Sequence, residues 1–277
     1  MPRIRFQRII ILESIPTGQP PTGRQLFDAL EPIAAPVTVE YASAATRVAF
    51  KTQLQKIYDQ TVSTRHIPLL HIEAHGNDDG IELANGDFIH WDDLCKDLVA
   101  INQATGFDLF VSISACFGAY LMSQVNPIER APFSACLSAT KSLYPDELFR
   151  GFYTFYRALL SGKSGTEILT AMKEFNNEND QSFYFGEASD FFQKVCAGYF
   201  SNFCTPEKYV ERAKQIQELR AERGLHFIDL ETTYIQLAVR ERSNFEAFRE
   251  KYFMLDLFPE NATRFPVKFE DVRKEQN

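Results

Sequence analysis

Two residues that could carry out nucleophilic chemistry stand at the ends of two short apolar segments. Residues 68–74 form one segment and are followed by His75 and Gly76, whereas residues 107–115 form the other and are followed by Cys116. The length and composition of both segments are typical of buried parallel strands. Functional groups in parallel sheets lie just beyond the carboxyl ends of the strands, so we expect an imidazole and a thiol in one crevice. This is the pairing of a cysteine nucleophile with its base.

Each of these residues has a plausible chemical role. A short helix is predicted to begin at Gly118, and the N-terminus of a helix favours the thiolate form of a nearby cysteine such as Cys116. His75 would take up the thiol proton and later protonate a leaving amine. Gly76 has no side chain, so its backbone N–H, together with that of Cys116, could stabilise an oxyanion. The competing interpretation is a strand-end cysteine that only fills the core.

The composition argues against several classes of partner. The chain has 277 residues, of which 45% are hydrophobic and 24% charged, as in ordinary globular proteins. Its net charge of −8 disfavours binding to nucleic acid and to an anionic membrane surface. The five cysteines are scattered and form no CxxC pair, which predicts reduced thiols. With no apolar stretch long enough for a signal peptide or a membrane helix, we expect a cytoplasmic protein.

The order of elements predicts an α/β fold with a mainly parallel central sheet flanked by helices. A polar hairpin is predicted between residues 77 and 90. Strands are predicted over residues 6–15, 37–42, 67–74, 107–115 and 133–140. Helices are predicted over residues 24–32, 46–62, 91–102, 146–161 and 164–175. Neither a complete nucleotide fingerprint nor a set of metal ligands is evident, so we expect no cofactor and no metal.

The pattern changes in the last third of the chain. An aromatic-rich segment follows residue 176, and Thr205 and Pro206 then carry the signals of a helix start, with Gly224 as its end. A further helix is predicted over residues 240–252 and an irregular tail after residue 258. We therefore place a boundary near residue 204, which leaves residues 205–277 as a helical C-terminal extension.

Two motifs carry a family resemblance. Residues 70–76 (LHIEAHG) and 114–118 (SACFG) resemble the His-Gly and Ala-Cys motifs of caspase-like cysteine peptidases, in particular the CHAT group and other prokaryotic caspase homologues. Residues 21–26 (PTGRQL) and 155–164 (FYRALLSGKS) resemble the first loop and the later helices of the same family. The resemblance covers residues 6–175. It implies a caspase-like peptidase domain over residues 1–204, a Cys116–His75 dyad and the hydrolysis of peptide bonds in protein substrates.

The chain departs from the family at two specificity positions. Members that cut after Asp carry an Arg where this chain has Pro21, and members that cut after Arg or Lys commonly carry an Asp where it has Ser114. By this resemblance the residue before the scissile bond is small or apolar. Arg24 and Asp146 are further candidates for lining the cleft, although exposed surface charge is the better explanation for each.

The resemblance also bears on regulation. Caspases mature by cleavage of a linker after the cysteine, but only residues 123–132 separate the helix after Cys116 from the next strand. We therefore expect a single-chain protease, controlled by a partner protein or a small-molecule ligand, in prokaryotic signalling or antiviral defence. The C-terminal extension could supply this control or simply cap the core. Two alternatives stay open: a catalytically silent caspase-like scaffold, and a small-molecule-binding α/β protein whose His and Cys only line a crevice.

Overall fold

The computed structural model describes residues 4–273, which divide into two compact units. The first contains the residues up to Val125 together with Ala131–Ala188, and the second contains Asn126–Arg130 and the residues from Ser189 onward. The boundary expected near residue 204 falls inside the second unit. The division of the chain into a peptidase domain and an extension stays a prediction.

The first unit contains eight strands and five α-helices among the described residues. The strands are β1 (Arg8–Ser14), β2 (Thr38–Ser43), β3 (Pro68–Gly76), β4 (Gly80–Glu82), β5 (Phe88–His90), β6 (Phe110–Ser114), β7 (Ala135–Ala139) and β8 (Phe183–Glu187). The α-helices are α1 (Thr22–Leu30), α2 (Arg47–Thr64), α3 (Trp91–Ala104), α4 (Pro145–Leu160) and α5 (Gly165–Glu178). Two 3₁₀ helices cover Glu31–Ile33 and Gly118–Gln124.

The central sheet has the strand order β2-β1-β3-β6-β7-β8, and the β4–β5 hairpin extends from the end of β3. All the neighbours in this order are parallel except β7 and β8, which are antiparallel. The four inner strands of the sheet are almost fully buried, and all seven residues of β1 are buried, whereas the edge strand β2 is partly exposed. The predicted fold class, an α/β protein with a mostly parallel central sheet flanked by helices, is confirmed at this level.

The second unit is helical. Its elements are α6 (Ala188–Phe203, whose first residue belongs to the first unit), α7 (Pro206–Glu222), α8 (Leu230–Tyr252), α9 (Asn261–Arg264) and α10 (Phe269–Val272). Aromatic rings form its core; Phe192 lies 5.6 Å from Phe245 and 5.0 Å from Phe253, centroid to centroid. Within residues 4–273, no helix is long and apolar enough to cross a membrane.

Several predicted bounds were wrong, for local reasons. Strand β6 begins at Phe110 because Phe107 adopts a left-handed conformation (φ 74°) that a strand does not accommodate. Strand β8 was not predicted. Helix α8 begins ten residues earlier than expected, where Asp229 caps it by accepting a hydrogen bond of 2.8 Å from the Thr232 N–H. The tail expected to be irregular contains α9 and α10, and its last residues, 274–277, lie outside the described chain.

Candidate active site

The parallel pairing of β3 with β6 brings the two predicted catalytic residues to the same level of the sheet. Glu73 on β3 lies opposite Ser114 on β6. Counting two residues on from this pair along each strand reaches His75 and Cys116. His75 is still in β3, so its side chain projects on the side of the sheet that carries Glu73, whereas Cys116 lies in the turn directly after β6.

The main chains of the two strand ends are in contact at Gly76. A Cβ atom built on Gly76 would lie 2.7 Å from the Cys116 carbonyl oxygen and 2.9 Å from the Cβ of Ala115. No residue with a side chain fits there without a shift of the main chain. Glycine is therefore required by packing, in addition to the oxyanion role predicted for its N–H, which stays a prediction.

Cys116 is the only one of the five cysteines that is not buried. Its sulfur lies 3.4 Å from the Ser142 hydroxyl oxygen and 3.9 Å from the Leu143 carbonyl oxygen. Burial raises the pKa of Cys95 and of Cys196 to about 12, and it raises the pKa of Cys136 as well. These buried thiols are suited to the core, whereas Cys116 is accessible to reagents.

The segment after Cys116 differs from the helix that was expected. Residues Gly118–Gln124 form a 3₁₀ helix, and Phe117 before it is left-handed (φ 58°). The Phe117 N–H donates to the Lys141 carbonyl (3.3 Å) and the Gly118 N–H donates to the Ala115 carbonyl (3.0 Å). These two N–H groups are already bonded to carbonyls, so they are not free to stabilise a thiolate at Cys116.

His75 is exposed and has a different hydrogen-bond partner from Cys116. Its Nε2 lies 2.6 Å from Oε1 of Gln19, a residue in the loop between β1 and α1. Within residues 4–273, no hydrogen bond joins His75 to Cys116. The structure therefore places the two residues on adjacent strand ends, each held by a neighbour from another loop.

A layer of buried polar side chains lies on β3 and β6, just before His75 and Cys116 along each strand. His71 Nε2 lies 3.2 Å from Glu73 Oε2, and the other Glu73 oxygen accepts a 2.7 Å hydrogen bond from the Thr22 hydroxyl. The Tyr156 hydroxyl donates to Ser112 Oγ (3.1 Å) and lies 3.3 Å from His71 Nδ1. Sequence reasoning missed this layer, although polar residues at every second position of an otherwise apolar strand were its signal.

A second buried carboxylate adjoins this layer. Glu13 lies beside Glu73 in the β1–β3 register and accepts hydrogen bonds from the Gly23 N–H (2.7 Å), the Arg24 N–H (3.3 Å) and the Tyr41 hydroxyl (2.5 Å). It thereby caps α1, whose own N-cap residue offers no side-chain hydrogen bond. Burial of the Tyr41 hydroxyl and, to a smaller extent, its hydrogen bond to the Glu13 carboxylate raise the pKa of Tyr41 to about 12.

The four predicted substrate-binding residues lie in different environments. Pro21 is exposed at the N-cap of α1, and Asp146 is exposed in the first turn of α4. Arg24 is exposed and bonds to Asp28 at 3.0 Å. Ser114 is only 1% exposed, and its hydroxyl has no hydrogen-bond partner among the described residues. In this conformation, Ser114 therefore presents no surface to a substrate.

Neither a cluster of metal ligands among the described residues nor a matching family model or curated protein indicates a function for this arrangement. Among the described residues, no group of three His, Cys, Asp or Glu side chains is placed to hold a metal ion. No protein-family model matches the chain, and no curated protein is significantly similar to it. The geometry of the strand ends and the two motifs are therefore what points to a function.

Proposed function

We propose that this chain is a caspase-like cysteine endopeptidase in which Cys116 is the nucleophile and His75 the general base and acid. The observation that carries the proposal is the parallel β3–β6 register, which brings the ends of both motifs together. The partial exposure of Cys116, when the other four cysteines are buried, supports the same assignment. An accessible thiol beside an accessible imidazole is the minimum that nucleophilic catalysis by cysteine requires.

The proposed reaction proceeds in two stages. His75 removes the thiol proton, the sulfur of Cys116 attacks the peptide carbonyl carbon, and the N–H groups of Gly76 and Cys116 stabilise the resulting oxyanion. The C–N bond breaks as His75 protonates the leaving amine, which leaves a thioester on Cys116. His75 then deprotonates a water molecule, which hydrolyses the thioester, releases the carboxylic acid and restores the thiol.

The proposal requires that the Cys116 thiol exchange its contact with Ser142 for one with His75 when a substrate binds. His75 bonds to Gln19 and Cys116 to Ser142, whereas proton transfer needs the imidazole and the thiol in mutual contact. Catalytic hydrogen bonds commonly shorten only in the complex with substrate, and the proposal therefore includes a movement of the Cys116 side chain away from Ser142 on binding.

The finer features of the proposal concern substrate and control. With Pro21 and Ser114 at the two specificity positions, the substrate residue before the scissile bond is small or apolar. Activity is controlled by a partner protein or a small-molecule ligand, in a prokaryotic signalling or defence pathway. These features depend on the resemblance alone.

The test is cleavage of a diverse peptide library, with products mapped by mass spectrometry. We expect cleavage by the wild type, none by Cys116→Ala or His75→Gln, and unchanged cleavage by His66→Gln, which replaces another exposed histidine. Cleavage that survives Cys116→Ala would disprove the nucleophile. Absence of cleavage by a wild type whose Cys116 reacts with alkylating agents would favour the silent scaffold. Thermal stabilisation by a small molecule, without any thiol reactivity, would favour the ligand-binding alternative.

A further inference from the structure

We infer that Gln19 is a positioning residue for His75, and that two buried glutamates hold its loop in place. The inference deepens the proposed function and depends on it for its catalytic meaning. The hydrogen bond between Gln19 and His75, and the anchoring of the loop, are features of the structure in their own right. Gln19 touches the imidazole and no reacting atom, so its role is to orient His75.

The contact assigns the ring proton of His75. The carbonyl oxygen of the Gln19 side chain, an acceptor, faces Nε2 at 2.6 Å. A neutral imidazole in this contact therefore carries its hydrogen on Nε2 and keeps a lone pair on Nδ1. Only a nitrogen with a lone pair can accept a thiol proton, so Gln19 selects the nitrogen that acts as the base.

The loop that carries Gln19 is anchored where it enters α1. The Thr22 hydroxyl donates to Glu73, and the backbone N–H groups of Gly23 and Arg24 donate to Glu13. A Cβ on Gly23 would lie 2.9 Å from the Glu13 oxygen, so glycine permits the close approach. The first three residues of α1 are thus bonded to carboxylates that project from the sheet. These carboxylates are almost fully buried, since Glu73 is 3% exposed and Glu13 is 4% exposed.

The backbone around Gln19 is restricted as well. The Gln19 N–H donates to the Pro16 carbonyl at 3.2 Å, which closes a turn, and the Thr22 N–H donates to the Pro20 carbonyl at 3.0 Å. Prolines on both sides of Gln19 have a fixed φ, which reduces the conformations open to the loop. A side chain on such a loop can hold an imidazole at a defined distance.

Strand β3 links the anchor to the residue that is positioned. Glu73 bonds to Thr22, and His75, two residues further along the strand, bonds to Gln19. The same strand therefore binds the loop at two points on one side of the sheet. We infer that this double attachment sets the orientation of the imidazole relative to the neighbouring end of β6.

The inference is tested with three variants of the full chain. Gln19→Leu keeps the approximate size but removes the acceptor, Gln19→Glu keeps an acceptor oxygen, and Gln25→Leu removes an exposed glutamine from α1 as a matched control. The readouts are the ¹⁵N chemical shifts of the His75 ring, the rate of Cys116 alkylation by iodoacetamide, and peptide cleavage. Assignment of His75 among the five histidines uses His75→Gln as the reference.

We expect the wild type, Gln19→Glu and Gln25→Leu to hold the ring with its hydrogen on Nε2. In Gln19→Leu we expect a mixture of tautomers and alkylation roughly tenfold slower, as for the loss of one hydrogen bond to a group that becomes charged. A wild-type ring with its hydrogen on Nδ1 would overturn the inference. A Gln19→Leu variant with unchanged ring shifts and unchanged alkylation would overturn it too.

These outcomes separate the inference from the proposed function. The tautomer and the alkylation rate do not require peptide hydrolysis. If Gln19→Leu changes both while the wild type cleaves no peptide, the positioning role stands and the peptidase proposal fails. If the wild type cleaves peptides and Gln19→Leu cleaves them at the same rate with the same ring shifts, the peptidase proposal stands and the positioning role fails.

Discussion

The contact at Gly76 predicts that Gly76→Ala destabilises the first unit. The added Cβ would lie 2.7 Å from the Cys116 carbonyl oxygen, whereas the shortest ordinary C···O contact distances are about 3.3 Å. The strand ends would therefore have to separate by roughly 0.6 Å. No side-chain rotation can relieve this clash, because the contacted oxygen belongs to the main chain. Overpacking of this kind lowers the free energy of unfolding by about 1–3 kcal/mol, and we expect the upper half of that range.

The assay is urea unfolding followed by the fluorescence of Trp91, the single tryptophan of the chain. Trp91 is buried in the first unit, and its indole N–H donates to the Asn77 carbonyl, next to Gly76, at 3.2 Å. We expect a lower midpoint with an unchanged slope. Gly198→Ala is the control, monitored by circular dichroism: it lies in α6, where no atom outside its own stretch of helix is within 4 Å of the added Cβ, so it should stabilise by about 0.5–1 kcal/mol.

A Gly76→Ala variant that unfolds at the wild-type urea concentration would refute the reasoning. That result would mean that the ends of β3 and β6 are not in contact, and the argument for a shared crevice at His75 and Cys116 would fail with it. A destabilised Gly76→Ala in which Cys116 alkylation also slows would support both the packing and the site.

Three further predictions concern single residues. In native wild-type protein we expect one of the five thiols to react with Ellman's reagent, and in native Cys116→Ser we expect none. In denaturant, five thiols should react in the wild type and four in Cys116→Ser. Thr22→Val leaves the buried Glu73 carboxylate without its 2.7 Å donor, so chemical denaturation should show a loss of about 1–3 kcal/mol. Because the pKa of Tyr41 is raised from 10.0 to about 12, its contribution to stability is present below pH 10 and lost towards pH 12. Wild-type stability should therefore fall more steeply than that of Tyr41→Phe over this range, and equal slopes would contradict the assignment.

The parts of the fold that could be predicted from sequence are those encoded locally. Buried parallel strands are continuous apolar segments, so β1, β3 and β7 could be recognised without knowledge of their neighbours. The start of α7 was equally local: Thr205 caps it by accepting a 3.3 Å hydrogen bond from the Lys208 N–H, as its position before Pro206 predicted. Both catalytic candidates follow from the ends of such strands, which is why a site could be proposed at all.

The rest depends on contacts between distant residues. Strand β8 pairs antiparallel with β7, and an aromatic segment without clear periodicity does not reveal such a partner. Gln19 meets His75 across 56 residues, and nothing in the composition of its loop indicates this contact. The proximity of Glu13 to Glu73 follows only from the β1–β3 register, which the sequence of neither strand specifies alone.

The central position of β3 and β6 in the sheet has a consequence for hydrogen exchange. Amides in these two strands, flanked by β1 and β7, should exchange only when the first unit unfolds globally, whereas those of the loop over residues 15–21 should exchange through local opening. Cys116, the proposed nucleophile, thus follows a highly protected strand directly, whereas Gln19, which bonds to His75, lies in the less protected loop. A ligand or partner that changes activity without unfolding the sheet would therefore act most readily on the Gln19 loop, and its effect would be seen as altered protection there.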